Sequence, residues 1–243
     1  MSAPLADEVA IVTGASSGIG AATARALARE GADVALAARR EDRLAKLAEE
    51  VREAHGVQAL AVPSDVTDRE AVDALVETTV DELGRLDVLV NNAGLARGAE
   101  VATMEDEAYE TMMDTNCDGM FYATRAALPH LQDAEGLAVF VGSAAGKAPR
   151  GYNPVYAATK WWTRGFAKSV SAQAGDDVAV TIVNPAAVRT EFEIDGEAFQ
   201  DRFAPGEVVE PEEVADAIAY AAQQDPSMVH EIDVYERDKL VDA

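Results

Sequence analysis

Tyr156 and Lys160 carry the side chains best suited to acid–base chemistry in this chain. Four residues apart on a helix, they share one face and lie one turn from each other. A phenol beside a fixed ammonium can move a proton. A free tyrosine titrates near pKa ~10, so work near neutrality needs about 3 units of depression, roughly 4 kcal/mol, and nearby positive charge is the usual cause. Taken alone, a Tyr-x-x-x-Lys pair also suits plain surface packing. The elements around it must decide.

Those elements read as strands alternating with helices. Glu8 to Thr13 is a short apolar run with β-branched residues, the pattern of a buried parallel strand. It ends in Gly14-Ala15-Ser16-Ser17-Gly18-Ile19-Gly20, followed by an alanine-rich helical stretch to about Glu30 and a second strand, Asp33 to Ala38. Such a βαβ unit, with glycines at its first turn, lets backbone approach a pyrophosphate at a helix N-terminus. Further strands are expected at Gln58–Val62, Leu86–Val90, Leu137–Val141, Val178–Val183 and Met228–Val234. A long, partly broken helical region is expected from about Met104 to Leu131, and a final helix over Pro211–Ala222. Leu137–Val141 delivers Ser143 to the end of its strand, where ligands of open α/β sheets bind. The helix of Tyr156 is expected to begin near Asn153-Pro154, as cap and first-turn proline.

Thr13 to Gly20 reads Thr-Gly-Ala-Ser-Ser-Gly-Ile-Gly, and Asn91-Asn92-Ala93-Gly94 follows the fourth strand. Together with Asn116, Ser143, Tyr156 and Lys160 in that order, these motifs resemble the short-chain dehydrogenase/reductase family over almost the whole chain, from Val9 to about Val234. The resemblance implies a Rossmann-type doubly wound α/β domain with a seven-stranded parallel sheet flanked by helices on both faces. It implies an enzyme that interconverts a carbonyl (ketone, aldehyde or oxo acid) and an alcohol by hydride transfer. Tyr156 would act as acid/base and Ser143 would hold the substrate oxygen. Lys160 would depress the Tyr156 pKa and bind the nicotinamide ribose, and Asn116 would hold a water linking the lysine to solvent. Cofactor contacts are implied for Gly14, Ser16, Ser17, Gly18, Ile19 and Gly20, for Asn92, Ala93 and Gly94, and for Pro185, Val188 and Thr190. By the same resemblance Asp65 would accept from the adenine amino group beside the Val66 main chain; capping of the next helix is the alternative. A dimer or tetramer is implied as well, with Trp161, Trp162 and Phe166 read as packing or subunit interface.

The choice of cofactor rests on the end of the second strand. An NAD site needs a carboxylate there to meet the ribose 2′-OH. Ala38 holds that place and Arg39 and Arg40 follow it, so NADP is favoured over NAD, because a guanidinium fork suits phosphate oxygens. Ala186 stands where most relatives have glycine; its methyl is tolerated if the local φ is negative. A catalytically silent NADP-binding sensor on the same fold is the alternative to an enzyme.

Length and composition bound these readings. At 243 residues, the chain suits one domain, 1–243, with residues 188–210 as a substrate lid rich in Phe192, Phe199 and Phe203. Lys and Arg total 20 against 44 Asp and Glu, a formal charge of -24, which would repel nucleic acid and anionic membranes. The acids are dispersed, as in a protein adapted to a salt-rich cytoplasm, where a Debye length near ~3 Å at 1 M screens their repulsion. Met1-Ser2-Ala3-Pro4 lacks the basic and apolar regions of a signal peptide, and no apolar run is long enough to span a bilayer, so a cytoplasmic location is expected. Cys117 has no second cysteine to pair with, and His55, His130 and His230 lack ligand spacing, so no metal is expected.

Overall fold

The strands are short, and most are apolar on both faces. All five residues of β1 (Val9–Thr13) are buried, as are all five of β5 (Leu137–Val141) and all four of β4 (Val88–Asn91). Burial on both faces is what a parallel sheet between two helical layers requires. The computed structural model describes residues 3–194 and 196–237. In it, β1, β4 and β5 join β2 (Asp33–Ala38), β3 (Ala59–Pro63), β6 (Ala179–Pro185) and β7 (Glu231–Val234) in one all-parallel sheet of order β3-β2-β1-β4-β5-β6-β7. The chain winds outward from β1 through β2 to β3. It then crosses back to place β4 on the other side of β1. This reversal opens a crevice beyond the C-terminal ends of β1 and β4.

Alternate side chains feed two cores. Val12, Val34, Leu36 and Val90 point to one face, where they meet Leu27 of α1 (Gly18–Arg29), Leu44 and Leu47 of α2 (Glu41–His55) and, from the far end of the chain, Ile218. Ile11, Ala35, Leu89 and Phe140 point to the other, against Leu75 of α3 (Arg69–Leu83) and residues of two later helices. Each fully buried Leu, Ile or Phe contributes about 1.5–3 kcal/mol relative to exposure. The helix starts are fixed locally. Asp68, not Asp65, caps α3 by accepting from the amides of Glu70 at 2.9 Å and Ala71 at 3.3 Å. The final helix, α8 in chain order (Pro211–Ala222), has the boundaries its sequence predicts and opens with a reciprocal cap between Glu210 and Glu213.

The region expected as one broken helix resolves into α4 (Asp106–Met113), a π turn over Asp114–Asp118, and α5 (Gly119–Ala134). The Gly119 amide reaches the Asp114 carbonyl, five residues back. The wide turn contains Asn116, and Gly119 presses against Val66 so closely that an added Cβ would lie 2.8 Å from the valine Cγ2. α6 (Pro154–Ala174) follows β5 and carries Tyr156 and Lys160 on its first two turns. A short helix, α7 (Phe199–Arg202), gives the lid segment the one regular element described there. Elsewhere the boundaries differ from those expected by one to three residues, most at β7, whose strand begins at Glu231. No helix among the described residues is long and apolar enough to cross a membrane.

Candidate active site

A cleft of about 790 Å³ runs across the C-terminal ends of the strands, and nearly every residue predicted for the site lines it. Its floor is the loop between β1 and α1. Gly14 has φ +67° and Gly18 φ +54°, a region where side chains strain the backbone. A Cβ on Gly20 would fall inside the contact shell of the Gly14 carbonyl oxygen, so the loop closes on itself only with glycine there. Ser17, the residue before α1, makes no side-chain cap, and the first turn holds no acid. The helix therefore presents uncapped amides and the positive end of its dipole to the cleft, a fit for the pyrophosphate of a dinucleotide. Ile19 is partly buried beside this turn.

Asn92 holds the loop rather than reaching outward. Its side-chain amide donates to the Thr13 carbonyl at 2.8 Å and to the Gly14 carbonyl at 3.4 Å. The Thr13 hydroxyl accepts from the amides of Asn92 and Ala93 at 3.0 and 3.1 Å, locking β1 to β4. Ala93 and Gly94 then line the cleft. A Cβ on Gly94 would sit 3.3 Å from Asn116 Oδ1 and 3.7 Å from Lys160 Nζ, which marks the seam between the loop and the acid–base groups.

At the second strand's end the arginines divide their work. Arg39 is mostly exposed, and its nearest acid is Asp65 at 3.9 Å. Arg40 folds back over the glycine loop, donating to Ser16 Oγ at 2.9 Å and Ser17 Oγ at 2.6 Å. Its remaining amino group meets Glu191 at 2.8 Å, and Arg43 grips both oxygens of Glu191 at 2.7 and 2.8 Å. Arg43 and Arg40 hold the Glu191 carboxyl below the usual carboxylate range. Sequence reasoning missed Arg43 and Glu191. The Arg-x-x-Arg spacing at the start of α2 was a signal for the first; nothing local pointed to the second. Asp65 accepts from the Thr67 amide and hydroxyl through Oδ1, a local turn that leaves Oδ2 toward Arg39.

The acid–base groups converge from three elements. Ser143 follows β5, Tyr156 and Lys160 rise from α6, and Asn116 comes from the π turn. Ser143 and Tyr156 both line the cleft, close enough for the serine to lower the phenol's pKa in part. Lys160 is 6% exposed, donates to the Val141 carbonyl at 2.9 Å and stands 5.8 Å from the Tyr156 ring centroid. Burial pushes the lysine down to about 8. It also pushes the Tyr156 phenol up to about 12, and Ser143 opposes this only in part. Burial thus sets the direction of the Tyr156 shift in these surroundings.

The Asn116 side chain is fully used. Oδ1 accepts from the Leu95 amide at 2.9 Å, while Nδ2 donates to the Leu95 carbonyl at 2.8 Å and to Thr159 Oγ1 at 3.1 Å. Thr159 in turn donates to the Tyr156 carbonyl at 2.8 Å, so Asn116 braces the helix between the two acid–base residues. Asn153 does not cap α6 with its side chain: the carboxamide is buried with no hydrogen-bond partner among the described residues. The small residues after β5 have a steric cause, because a Cβ on Gly146 would lie 2.6 Å from the Lys160 carbonyl. Cys117 is buried, and burial pushes its thiol up to about 11, which removes it as a nucleophile near neutral pH. Glu231 on β7, also missed, binds Arg164 of α6 at 2.8 Å and Asn184 at 2.8 Å. The Arg164 contact is the main cause holding it down to about 2, and the link anchors α6 to the sheet edge.

The far wall is the segment after β6. Pro185 and Val188 line the cleft, and Val188 bridges to Val209. Thr190 packs its methyl 3.0 Å from where a Gly18 Cβ would stand. Its hydroxyl donates to Val188 and accepts from the Phe192 amide. Ala186 avoids positive φ and donates to Val234 at 2.9 Å, so its methyl is accommodated. Phe192 lies against Tyr156 with centroids 5.8 Å apart and begins a ring chain through Phe199 to Phe203. Trp162 stacks on Phe166 at 4.7 Å, whereas Trp161 is exposed.

Comparison with known proteins agrees with this geometry. Residues 8–201 match the short chain dehydrogenase family. A curated relative, glycine betaine reductase ATRR of Emericella nidulans, is 38% identical over 98% of this chain, although the chain spans only 19% of that protein's length. An alcohol dehydrogenase of the archaeon Thermococcus sibiricus, solved with 5-hydroxy-NADP, superposes with TM-score 0.88 at 31% identity, covering 95% of this chain and 97% of that one. A 3-ketoacyl-(acyl-carrier-protein) reductase of Brucella melitensis, solved with NADH, superposes with TM-score 0.85 at 29% identity, covering 95% and 98%. The glycine loop, the Ser143–Tyr156–Lys160 cluster and the sheet that joins them thus place the chain in the short-chain dehydrogenase family of oxidoreductases.

Proposed function

We propose that the protein is an NADP-dependent oxidoreductase that interconverts a small carbonyl compound and its alcohol. The observation that carries this reading is the convergence of Ser143, Tyr156 and Lys160 at one end of a cleft whose other end holds an uncapped helix N-terminus, Arg39 and Arg40. When bound, the nicotinamide supplies or accepts the hydride. Ser143 donates to the substrate oxygen and stabilises the alkoxide as charge develops. Tyr156 passes its proton to that oxygen in reduction and takes it back in oxidation. Lys160 sets the field behind the phenol, and Asn116 holds its helix and the Leu95 turn in register.

NADP is favoured over NAD by the absence of a carboxylate at the end of β2 and by Arg39, which has no close ion pair. Arg97 and Arg150 also line the cleft without an acidic partner among the described residues, in a chain of charge -24; they favour substrates that carry an anionic group, such as oxo acids. The protein is read as a cytoplasmic homo-oligomer, dimer or tetramer, adapted to high salt, with no nucleic-acid or membrane partner and no metal. A silent NADP-binding sensor is disfavoured by the retained Tyr156 and Lys160.

One experiment tests the reading: turnover of NADPH and NADH in parallel against oxo acids and their methyl esters, at 0.1 M and about 2 M KCl. The expected result is NADPH-linked reduction, faster for the free acids and sustained in salt. NADPH binding without turnover on any carbonyl would replace the enzyme by the sensor. Arg39→Asp is expected to shift preference toward NADH by about tenfold or more, the scale of a lost charge-assisted bond.

A further inference from the structure

Arg40 gives one hydrogen bond from each guanidinium nitrogen: Nε to Ser16, Nη2 to Ser17 and Nη1 to Glu191. Arg43 commits its Nη1 to the same carboxylate. These two cations lie three residues apart at the start of α2, beside the end of β2, where a nucleotide's ribose phosphate would come. Glu191 thus holds Nη1 of both arginines, donors that an external anion could otherwise take. All three side chains are about half exposed, with 43%, 46% and 38% of their surface in solvent for Arg40, Arg43 and Glu191. Such pairs are weak and are open to exchange. A phosphate monoester brings more charge and three acceptor oxygens to the same forks, so exchange runs in its favour.

We infer that Glu191 is an internal counterion that stands in for the cofactor's 2′-phosphate and must leave the Arg40–Arg43 pair when that phosphate binds. This rests on the NADP reading above and adds to it a residue that sets discrimination between the phosphorylated and unphosphorylated dinucleotide. The exchange also reaches the acid–base end. Glu191 is followed by Phe192, whose ring lies on Tyr156 and whose carbonyl accepts from the Phe199 amide at 2.9 Å; the Gln200 amide donates to the Thr190 carbonyl at 2.9 Å. Release of Glu191 loosens the joint between the lid and the site at these two bonds.

The test uses ligands that carry only the adenosine end. Affinities of wild type and Glu191→Gln for 2′,5′-ADP and for 5′-AMP are measured by calorimetry at low salt. Amide exchange is followed at Phe199 and Gln200. The substitution is expected to tighten 2′,5′-ADP about threefold to fivefold, the scale of an exposed ion pair, with 5′-AMP unchanged. In wild type, 2′,5′-ADP but not 5′-AMP is expected to speed exchange at both amides, to the rate the ligand-free variant already shows. Unchanged or weaker 2′,5′-ADP binding by Glu191→Gln overturns the inference and makes Glu191 an organiser of the arginines. Equal affinity of wild type for the two ligands overturns the NADP reading itself.

Discussion

Lys160 donates to the carbonyl of Val141 at 2.9 Å, tying the second turn of α6 to the last residue of β5. That bond fixes the ammonium two residues from Ser143 and leaves it beside, not on, the Tyr156 ring. The three side chains are therefore positioned by one helix–strand contact rather than by a loop, and the chemistry predicted for each can be tested separately.

Tyr156→Phe removes the proton carrier and keeps the ring that packs on Phe192. Turnover is expected to fall 10²–10⁴-fold or to background, the range for loss of a general acid, while NADPH affinity changes less than about threefold. Stopped-flow kinetics beside fluorescence titration separates the two. An unchanged kcat would remove Tyr156 from the reaction.

Titration of the ligand-free protein should find the phenol and the ammonium displaced in opposite directions. A wild-type minus Tyr156→Phe ultraviolet titration is expected to show no phenolate from Tyr156 below about pH 10, because burial holds it near 12. Lys160, held near 8 by burial, is expected to lose its proton first, as read by nitrogen NMR. Its lowered folded pKa makes the folded state gain stability as pH rises from 8 toward 10.5.

Gly20→Ala places a methyl against the Gly14 carbonyl oxygen, a backbone atom that cannot swing aside. The expected cost is about 1–3 kcal/mol of stability, with weaker dinucleotide binding as the loop is forced open. Urea midpoints and NADPH titration measure both. Retention of wild-type affinity would mean that the loop adjusts without losing its cradle.

Glu8 lies away from the cleft and reports on the sheet's opposite end. Burial first, then the charge of Asp87, raises its pKa from 4.5 to about 7, with Arg85 opposing. A raised folded pKa means that the contribution is complete below 4.5 and lost as pH climbs through 7. Glu8→Gln is therefore expected to increase the urea midpoint at pH 8 more than at pH 5. Equal differences at the two pH values would show that Glu8 ionises freely.

Much of this was legible in the chain because it is local. Apolar runs of five residues between glycine turns required a parallel sheet, and the boundaries of α8 followed from Pro211 and the residues after it. The order of Ser143, Tyr156 and Lys160 carried the family resemblance that implies the acid–base set, and their places at a strand end and on one helix face are short-range properties. The tertiary structure decided what depends on burial and on residues far apart. The π turn at Asn116 arises where Gly119 meets Val66 and the Asn116 amide meets Leu95, contacts that no periodicity encodes. The Tyr156 phenol is raised because desolvation, a property of the folded surroundings, exceeds the opposing influence of Ser143. Glu191 reaches Arg43 across 148 residues of chain, and a carboxylate in an acidic sequence gives no sign of its partner until the fold closes. Sequence determined the groups and their order; packing determined their protonation and their counterions.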